Sequence, residues 1–266
     1  MKKLLFITFA FTILFASNSI ADSSGSEDLS KKKSNVTASE CFEGVSRGIF
    51  AFNQGVDKVL FKPIAKGYRV LPLVIRNGTG NMVKNISNLL TIPNNVLQGD
   101  FKEAGNTTAR LAINTTVGIL GFFDPAERMG FKAKGKEDYG QTFGVWGAGT
   151  GCYFVLPLLG PTTARDFVGT IGNIWGDPWY NMTVANDTAV GNATFKDSDY
   201  NISRGRSAVD FRAKNIESFD SIERNSIDLY ASIKSLYLQD RNKKVQNSDT
   251  IVETQNDSDW EEIDTN

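Results

Sequence analysis

The chain has 266 residues, 29 of them basic and 30 acidic, a formal charge of −1 and no histidine. Without imidazole, Ser-His-Asp and Cys-His catalysis and His-ligated metals are excluded, and the commonest general base is missing. The near-neutral balance argues against a nucleic-acid partner, and the length fits one domain with tails.

In chain order, Lys2-Lys3 precede an apolar run from Leu4 to Ala16, and Ser19-Ile20-Ala21 place small residues before Asp22. This layout predicts a signal peptide over residues 1–21 and export from the cytoplasm. The run is too short to span a bilayer. Residues 22–40, with Lys31-Lys32-Lys33 among Ser, Asp and Glu, read as a flexible linker. A helical domain over 41–243 follows. Phe42, Val45, Ile49, Phe52, Val56 and Val59 recur at three- and four-residue spacing, which predicts a helix over Glu40–Leu60. Lys62-Pro63 interrupts it. Pro72 suits the first turn of a helix running to about Leu90, and Pro93 and Gly99 mark turns.

Asp100 can cap a helix through Thr116, and Asp124-Pro125 opens a short one. Tyr153–Leu156 resembles a short strand. Thr162 or Thr163 can cap a helix ending near Trp175. Residues 181–202 are polar and turn-rich, and Arg206–Asn242 reads as the longest helix. Residues 244–266 form an acidic disordered tail. Seven carboxylates and no base fall between Asn247 and the end, leaving the rest of the chain at +6. The fold class is all-α.

Residues 139–166 stand out because Gly140, Gly144, Gly147, Gly149, Gly151 and Gly160 crowd among aromatics and prolines. Each glycine carries an entropic cost that a plain core helix would avoid. The stretch reads as built for shape: a turn-rich wall, a pore lining or a ligand slot. Gly44 with Gly48, Gly140 with Gly144, and Gly147 with Gly151 have the spacing that lets helices touch closely in lipid, or simply pack tightly. Gly130 to Lys136 approximates a phosphate-binding loop, but Glu137 stands where a hydroxyl is needed and no strand precedes it. Cys41 and Cys152 are either a disulfide or two buried thiols. They have no metal-site spacing, so neither a metal nor a cofactor is expected. Asp138, Asp166 and Asp177 are the carboxylates open to acid-base chemistry, although their spacing sets no pair.

A longer pattern resembles a known family. Phe52-Asn53-Gln54-Gly55-Val56-Asp57, Lys62-Pro63, Tyr68, Pro72 and Arg76 are similar to the opening of the MlaA/VacJ proteins. Pro93 to Gly99, Arg110 to Ala126, Asp138 to Gly147, Leu156 to Pro161 and Arg165-Asp166 continue the likeness. Ser226 to Tyr230 and Tyr237 to Arg241 close it.

The resemblance implies a non-enzymatic protein at the periplasmic face of the bacterial outer membrane. Amphipathic helices would lie in a ring-like monotopic arrangement with a glycine-rich channel wall and a long C-terminal helix. Its function would be intermembrane phospholipid transport that keeps the outer membrane asymmetric. Mislocalised phospholipid would pass through a polar channel to an MlaC-like periplasmic carrier, beside a trimeric porin. On that reading Asn114, Gln141, Gly144, Trp146, Gly147, Gly149, Tyr153, Arg165 and Asp166 are the lipid-pathway candidates. Asn53, Asp57, Pro63, Pro72, Asn95, Gln98, Gly121, Asp124, Pro157, Gly160 and Pro161 are structural motif positions.

Plainer roles stay open. Asn53 and Asp57 suit a tie between the first helix and a neighbouring turn, Asn114 a bridge to backbone, and Asp166 a helix N-terminus. Family members are commonly lipoproteins with a cysteine at the cleavage point, whereas Ala21-Asp22 stand there in this chain. The alternatives are a periplasmic carboxylate hydrolase of envelope polymers and a porin-bound structural factor.

Overall fold

The computed structural model describes residues 38–185, 189–190, 193–194 and 196–247. The leader, most of the linker and most of the acidic tail read from the sequence lie outside these residues.

The described chain is mostly helical. Helix α1 (Glu43–Val56) runs through a π-helical turn at Asp57–Phe61 directly into α2 (Lys62–Arg69). The interruption expected at Lys62-Pro63 does not occur. Pro63 falls in the first turn of α2, and the widened π turn before it accommodates a residue that cannot donate backward. Pro72 precedes α3 (Leu73–Leu97), which continues through Pro93 instead of ending near Leu90. Proline removes one rung there. The Asn94 side chain donates to the Leu90 carbonyl at 2.8 Å and ties the loosened turn from outside.

Asp100 caps α4 (Phe101–Thr116) by accepting from the Glu103 amide at 3.0 Å, as its position predicts. The chain then folds back in left-handed conformation at Ile119 (φ 54°), Leu120 (φ 57°) and Gly121 (φ 88°). A Cβ on Gly121 would lie 2.5 Å from that of Asn85, so only glycine fits. Asp124 caps the short α5 (Pro125–Arg128), and Asp138 caps α6 (Tyr139–Val145).

Strands β1 (Tyr153–Leu156) and β2 (Gly160–Thr163) form an antiparallel hairpin with Tyr153 opposite Thr163. Thr163 caps α7 (Ala164–Gly176). The turn-rich segment expected over 181–202 contains more regular structure. After α8 (Pro178–Tyr180) come a π turn at Asn181–Ala185 and a minimal hairpin, β3 (Ala189–Val190) with β4 (Ala193–Thr194). The single long helix expected over Arg206–Asn242 is three: α9 (Asp197–Lys214), α10 (Ile216–Asn225) and α11 (Leu229–Val245). Asn215 leaves helical geometry at the first break. At the second, Asp228 turns extended and caps α11 by accepting from the Ala231 amide.

Cys41 and Cys152 are disulfide-bonded across 111 residues. The bond fastens the segment before α1 to the base of the hairpin, where the Tyr153 amide also donates to the Ser39 carbonyl. Beneath it, Ala38, Tyr153, Val155, Tyr230 and Leu238 form the larger apolar cluster. A smaller one joins Ala65, Ala213 and Ile216.

Candidate functional site

On two helices, α3 and α7, burial is largely inverted. On α7 the residues facing neighbours are Asp166 and Gly169, while Phe167, Val168, Ile171 and Trp175 are exposed. On α3 Gly78, Gly80, Asn85, Thr91, Asn94 and Asn95 are buried beside a single large apolar residue, Leu90, and Leu73, Val74 and Ile75 are exposed. Val70 is 85% exposed, Leu159 75% and Phe101 70%. An amphipathic helix in water turns the opposite face inward. Contiguous exposed apolar surface of this kind marks contact with a membrane or a partner.

The interior is held by charge. Arg241, on α11, donates to both oxygens of Asp138 at 2.8 and 3.0 Å and to both oxygens of Asp166 at 2.8 and 3.0 Å. The Tyr237 hydroxyl, one turn earlier, donates to Asp166 at 2.6 Å, and Arg165 donates to the same carboxylate. Gln141 donates to Asp138 through its backbone and side-chain nitrogens. Burial pushes the Asp138 carboxyl up, but Arg241 and Gln141 outweigh it and hold it at about 2. Asp166 is lowered in the same way, burial opposing and Arg241 and Tyr237 prevailing. The clamp joins the cap of α6 and the first turn of α7 to α11. It requires close approach: a Cβ on Gly169 would lie 2.3 Å from the Gly140 amide nitrogen.

A second clamp is built on Arg110, which pairs with Asp124 at 2.6 Å and Glu127 at 3.0 Å. Asn114 donates to Asp124 at 2.9 Å and accepts from the Ala126 amide at 3.1 Å. It fixes the loop that presents Val117, Ile119 and Leu120 outward.

Two cavities of about 530 Å³ each border these frames. One lies between α3 and the loop after α4, lined by Asn77, Asn81, Phe122, Asp124 and Arg128 among others. The second is mainly apolar, with Phe50, Phe61, Phe211, Phe219, Ile222 and Ile233 in its wall.

The pathway candidates separate by location. Gln141, Gly144, Arg165 and Asp166 gather around Arg241, Gly144 fitting against Val245 and Arg165. Asn114 belongs to the Arg110 clamp. Tyr153 is fully buried, with Tyr230 and Tyr237 edge-on to its ring. Trp146 is 59% exposed and donates to the Leu97 carbonyl. Gly147 and Gly149 have open space where a side chain would project.

Of the motif positions, Asn53 and Asp57 line the apolar cavity with Gly160 and Pro161. Asn53 bonds the Leu156 carbonyl and the Leu158 amide, bracketing Pro157. Asp57 pairs with Arg212 at 2.7 Å. Asn95 donates to Thr107 at 3.5 Å, and Gln98 to Glu137 and Thr142. The arginines that complete these sets, Arg110, Arg212 and Arg241, are not among the predicted site residues. The spacing of Tyr230, Tyr237 and Arg241 on one helical face is the signal that would have drawn attention to the last.

A family model for the MlaA lipoprotein matches residues 38–244. The chain belongs to the MlaA lipoprotein family. It is 30% identical to the intermembrane phospholipid transport system lipoprotein MlaA of Escherichia coli, over 76% of each chain. The Haemophilus influenzae protein of the same name is 27% identical over 91% of this chain and 93% of its own. An uncharacterized protein of Rickettsia bellii is 32% identical over 77% of this chain and 76% of its own. A solved structure described as "Structural basis for maintenance of bacterial outer membrane lipid asymmetry" superposes with a TM-score of 0.67 at 25% identity. The match covers 78% of this chain and 99% of that one. Among the described residues no helix is long and apolar enough to cross a membrane. The disulfide takes up both cysteines of this MlaA-family chain, so in that state neither thiol can carry a lipid thioether.

Proposed function

We propose that this protein sits at the periplasmic face of the outer membrane and passes mislocalised phospholipid through its polar interior to an MlaC-like soluble carrier, beside a trimeric porin. The observation that carries this reading is the inverted burial. Helices with apolar residues outward and Asn, Asp, Arg and Gly inward suit a body immersed in one leaflet. The names of the MlaA relatives point the same way.

The physical need is plain. Lifting a two-chain lipid of some 32 methylenes into water costs up to ~25 kcal/mol at ~0.8 kcal/mol each. Pulling a charged headgroup through hydrocarbon is also costly. A polar wall lowers both barriers by guiding the headgroup while the tails stay in oil. The hydrolase alternative fares less well, because Arg241 holds Asp138 and Asp166 ionised in tight pairs, and neither has a proton to deliver near neutral pH.

Gly149→Trp tests the reading, since a side chain at Gly149 meets no neighbour within 4 Å. The variant should fold and associate with porin normally, yet let phospholipid accumulate in the outer leaflet of cells that depend on it. Wild-type lipid distribution in those cells, with no phospholipid co-purifying, would refute transport.

A further inference from the structure

We infer that the cavity between α3 and the loop after α4 takes a zwitterionic phospholipid head, with Arg128 and Asn77 on its phosphate and Glu127 on its ammonium. The inference rests on the transport reading and names the headgroup class of the lipid carried.

The cavity has a built floor and, at about 530 Å³, the size of a ligand site. A Cβ on Gly78 would lie 2.3 Å from the Phe122 ring, so that ring lies against bare backbone of α3. Phe123 meets Phe122 edge-on at 5.0 Å, and the Asn81 side chain donates to the Phe122 carbonyl at 3.4 Å. The Arg110 clamp fixes the far wall through Asp124 and Glu127. Exposed Val74, Val117 and Phe123 form an apolar lip, and Asn77, Glu127 and Arg128 bring polar groups to the same space. Val74, Asn77 and Asn81 follow at three- and four-residue spacing on one face of α3. The wall therefore grades from apolar to polar along that helix, as a lipid does from its chains to its head.

The polar groups are uncommitted. Arg128 forms no ion pair or side-chain hydrogen bond among the described residues, and Asn77 forms no side-chain hydrogen bond among them. Lys132 and Lys136, on the same segment as Arg128, do not line the cavity. The Glu127 carboxylate accepts from Arg110 at 3.0 Å and from the Ala133 amide at 3.2 Å, both through Oε2, which leaves Oε1 to accept. Glu127 and Arg128 are adjacent on α5, so they do not face each other.

Charge decides the class of ligand. A guanidinium fork matches the oxygens of a phosphate. Around this cavity, however, Arg110 and Arg128 are balanced by Asp124 and Glu127. An anionic head would gain Arg128 and be repelled by two carboxylates. A head with both phosphate and ammonium finds an opposite charge for each end.

The test uses the full chain in neutral detergent, with a photoreactive residue in place of the exposed Val117 and an equimolar mixture of phosphatidylethanolamine and phosphatidylglycerol as probe. Mass spectrometry reads which lipid is captured. Phosphatidylethanolamine should be captured about tenfold more than phosphatidylglycerol. Arg128→Gln should lower its capture about tenfold while melting as wild type does. Arg128→Lys should restore part of it, and Glu127→Gln should abolish the preference between the two lipids. Gly149→Trp is run alongside in cells. Equal capture of the two lipids by the wild type, or undiminished capture in Arg128→Gln, overturns the site, and the transport reading survives if Gly149→Trp still blocks transport. If Gly149→Trp is also without effect, both fall. Competition by free phosphoethanolamine as strong as by the lipid would make this a site for a soluble ligand and overturn the lipid assignment.

Discussion

Replacing Arg241 with methionine would remove four charge-assisted hydrogen bonds at 2.8–3.0 Å and leave Asp138 and Asp166 facing each other without their shared cation. Breaking a buried ion cluster from one side costs about 3–5 kcal/mol. The variant should lose that much in detergent-solubilised urea titrations. The pH dependence gives the sharper check. In the wild type the Asp138 pKa is depressed to about 2 in the folded state. Its contribution, ~2.5 kcal/mol for nearly two units, is present above the unfolded value near 4. It is lost as pH falls through 2. In Arg241→Met the strongest influence opposing burial is gone, while Gln141 still donates to Asp138 and Tyr237 and Arg165 to Asp166, so the folded pKa values move up from those of the wild type. The variant should then lose less stability than the wild type as the solution is acidified from pH 7 to 3. Arg241→Lys, which keeps charge but loses the fork, should fall between. A wild-type-like pH profile in the methionine variant, or a loss under about 1 kcal/mol, would refute the clamp.

Other predictions concern separate features. Gly169→Ala puts a carbon 2.4 Å from the Gly140 Cα, a backbone clash that should cost about 3 kcal/mol in the same titration. Reducing the 41–152 disulfide, which closes 111 residues, should cost about 4–5 kcal/mol and lower the midpoint by roughly 10–15 °C in a melting scan. Ile119→Asn should relieve about 1 kcal/mol of left-handed strain, since asparagine tolerates that conformation. The same variant should weaken vesicle partitioning roughly tenfold if the 63%-exposed Ile119 enters lipid. Unaltered partitioning would place this loop outside the membrane.

Local signals were the legible part of the sequence. Asp100, Asp124 and Thr163 cap the helices that their side chains and spacing predict. What escaped depended on context. Pro93 sits inside a helix, where the Asn94 side chain adds a bond to the Leu90 carbonyl, and Pro63 is absorbed by a π turn that no propensity announces. Helix α6 was hidden by glycines that suggest turns yet serve close packing against α7. The apolar stripe over 206–242 persists across two breaks, so periodicity alone reads one helix where Asn215 and Asp228 separate three. At the site, Asp138 and Asp166 were visible as carboxylates without a pair. Their partner lies 103 and 75 residues away, a distance over which spacing carries no information.

The disulfide also ties assembly to the order in which the chain emerges. Cys41 leaves any export channel long before Cys152, and nothing can staple the front of the body until more than a hundred further residues have passed. Until then Cys41 is a lone thiol, open to wrong partners in the periplasm that the proposed function assigns it. Correct closure thus depends on the thiol-oxidising machinery of the compartment. Cells short of that machinery would assemble this protein slowly, with the glycine-rich loop between α6 and the hairpin free to swing from its base.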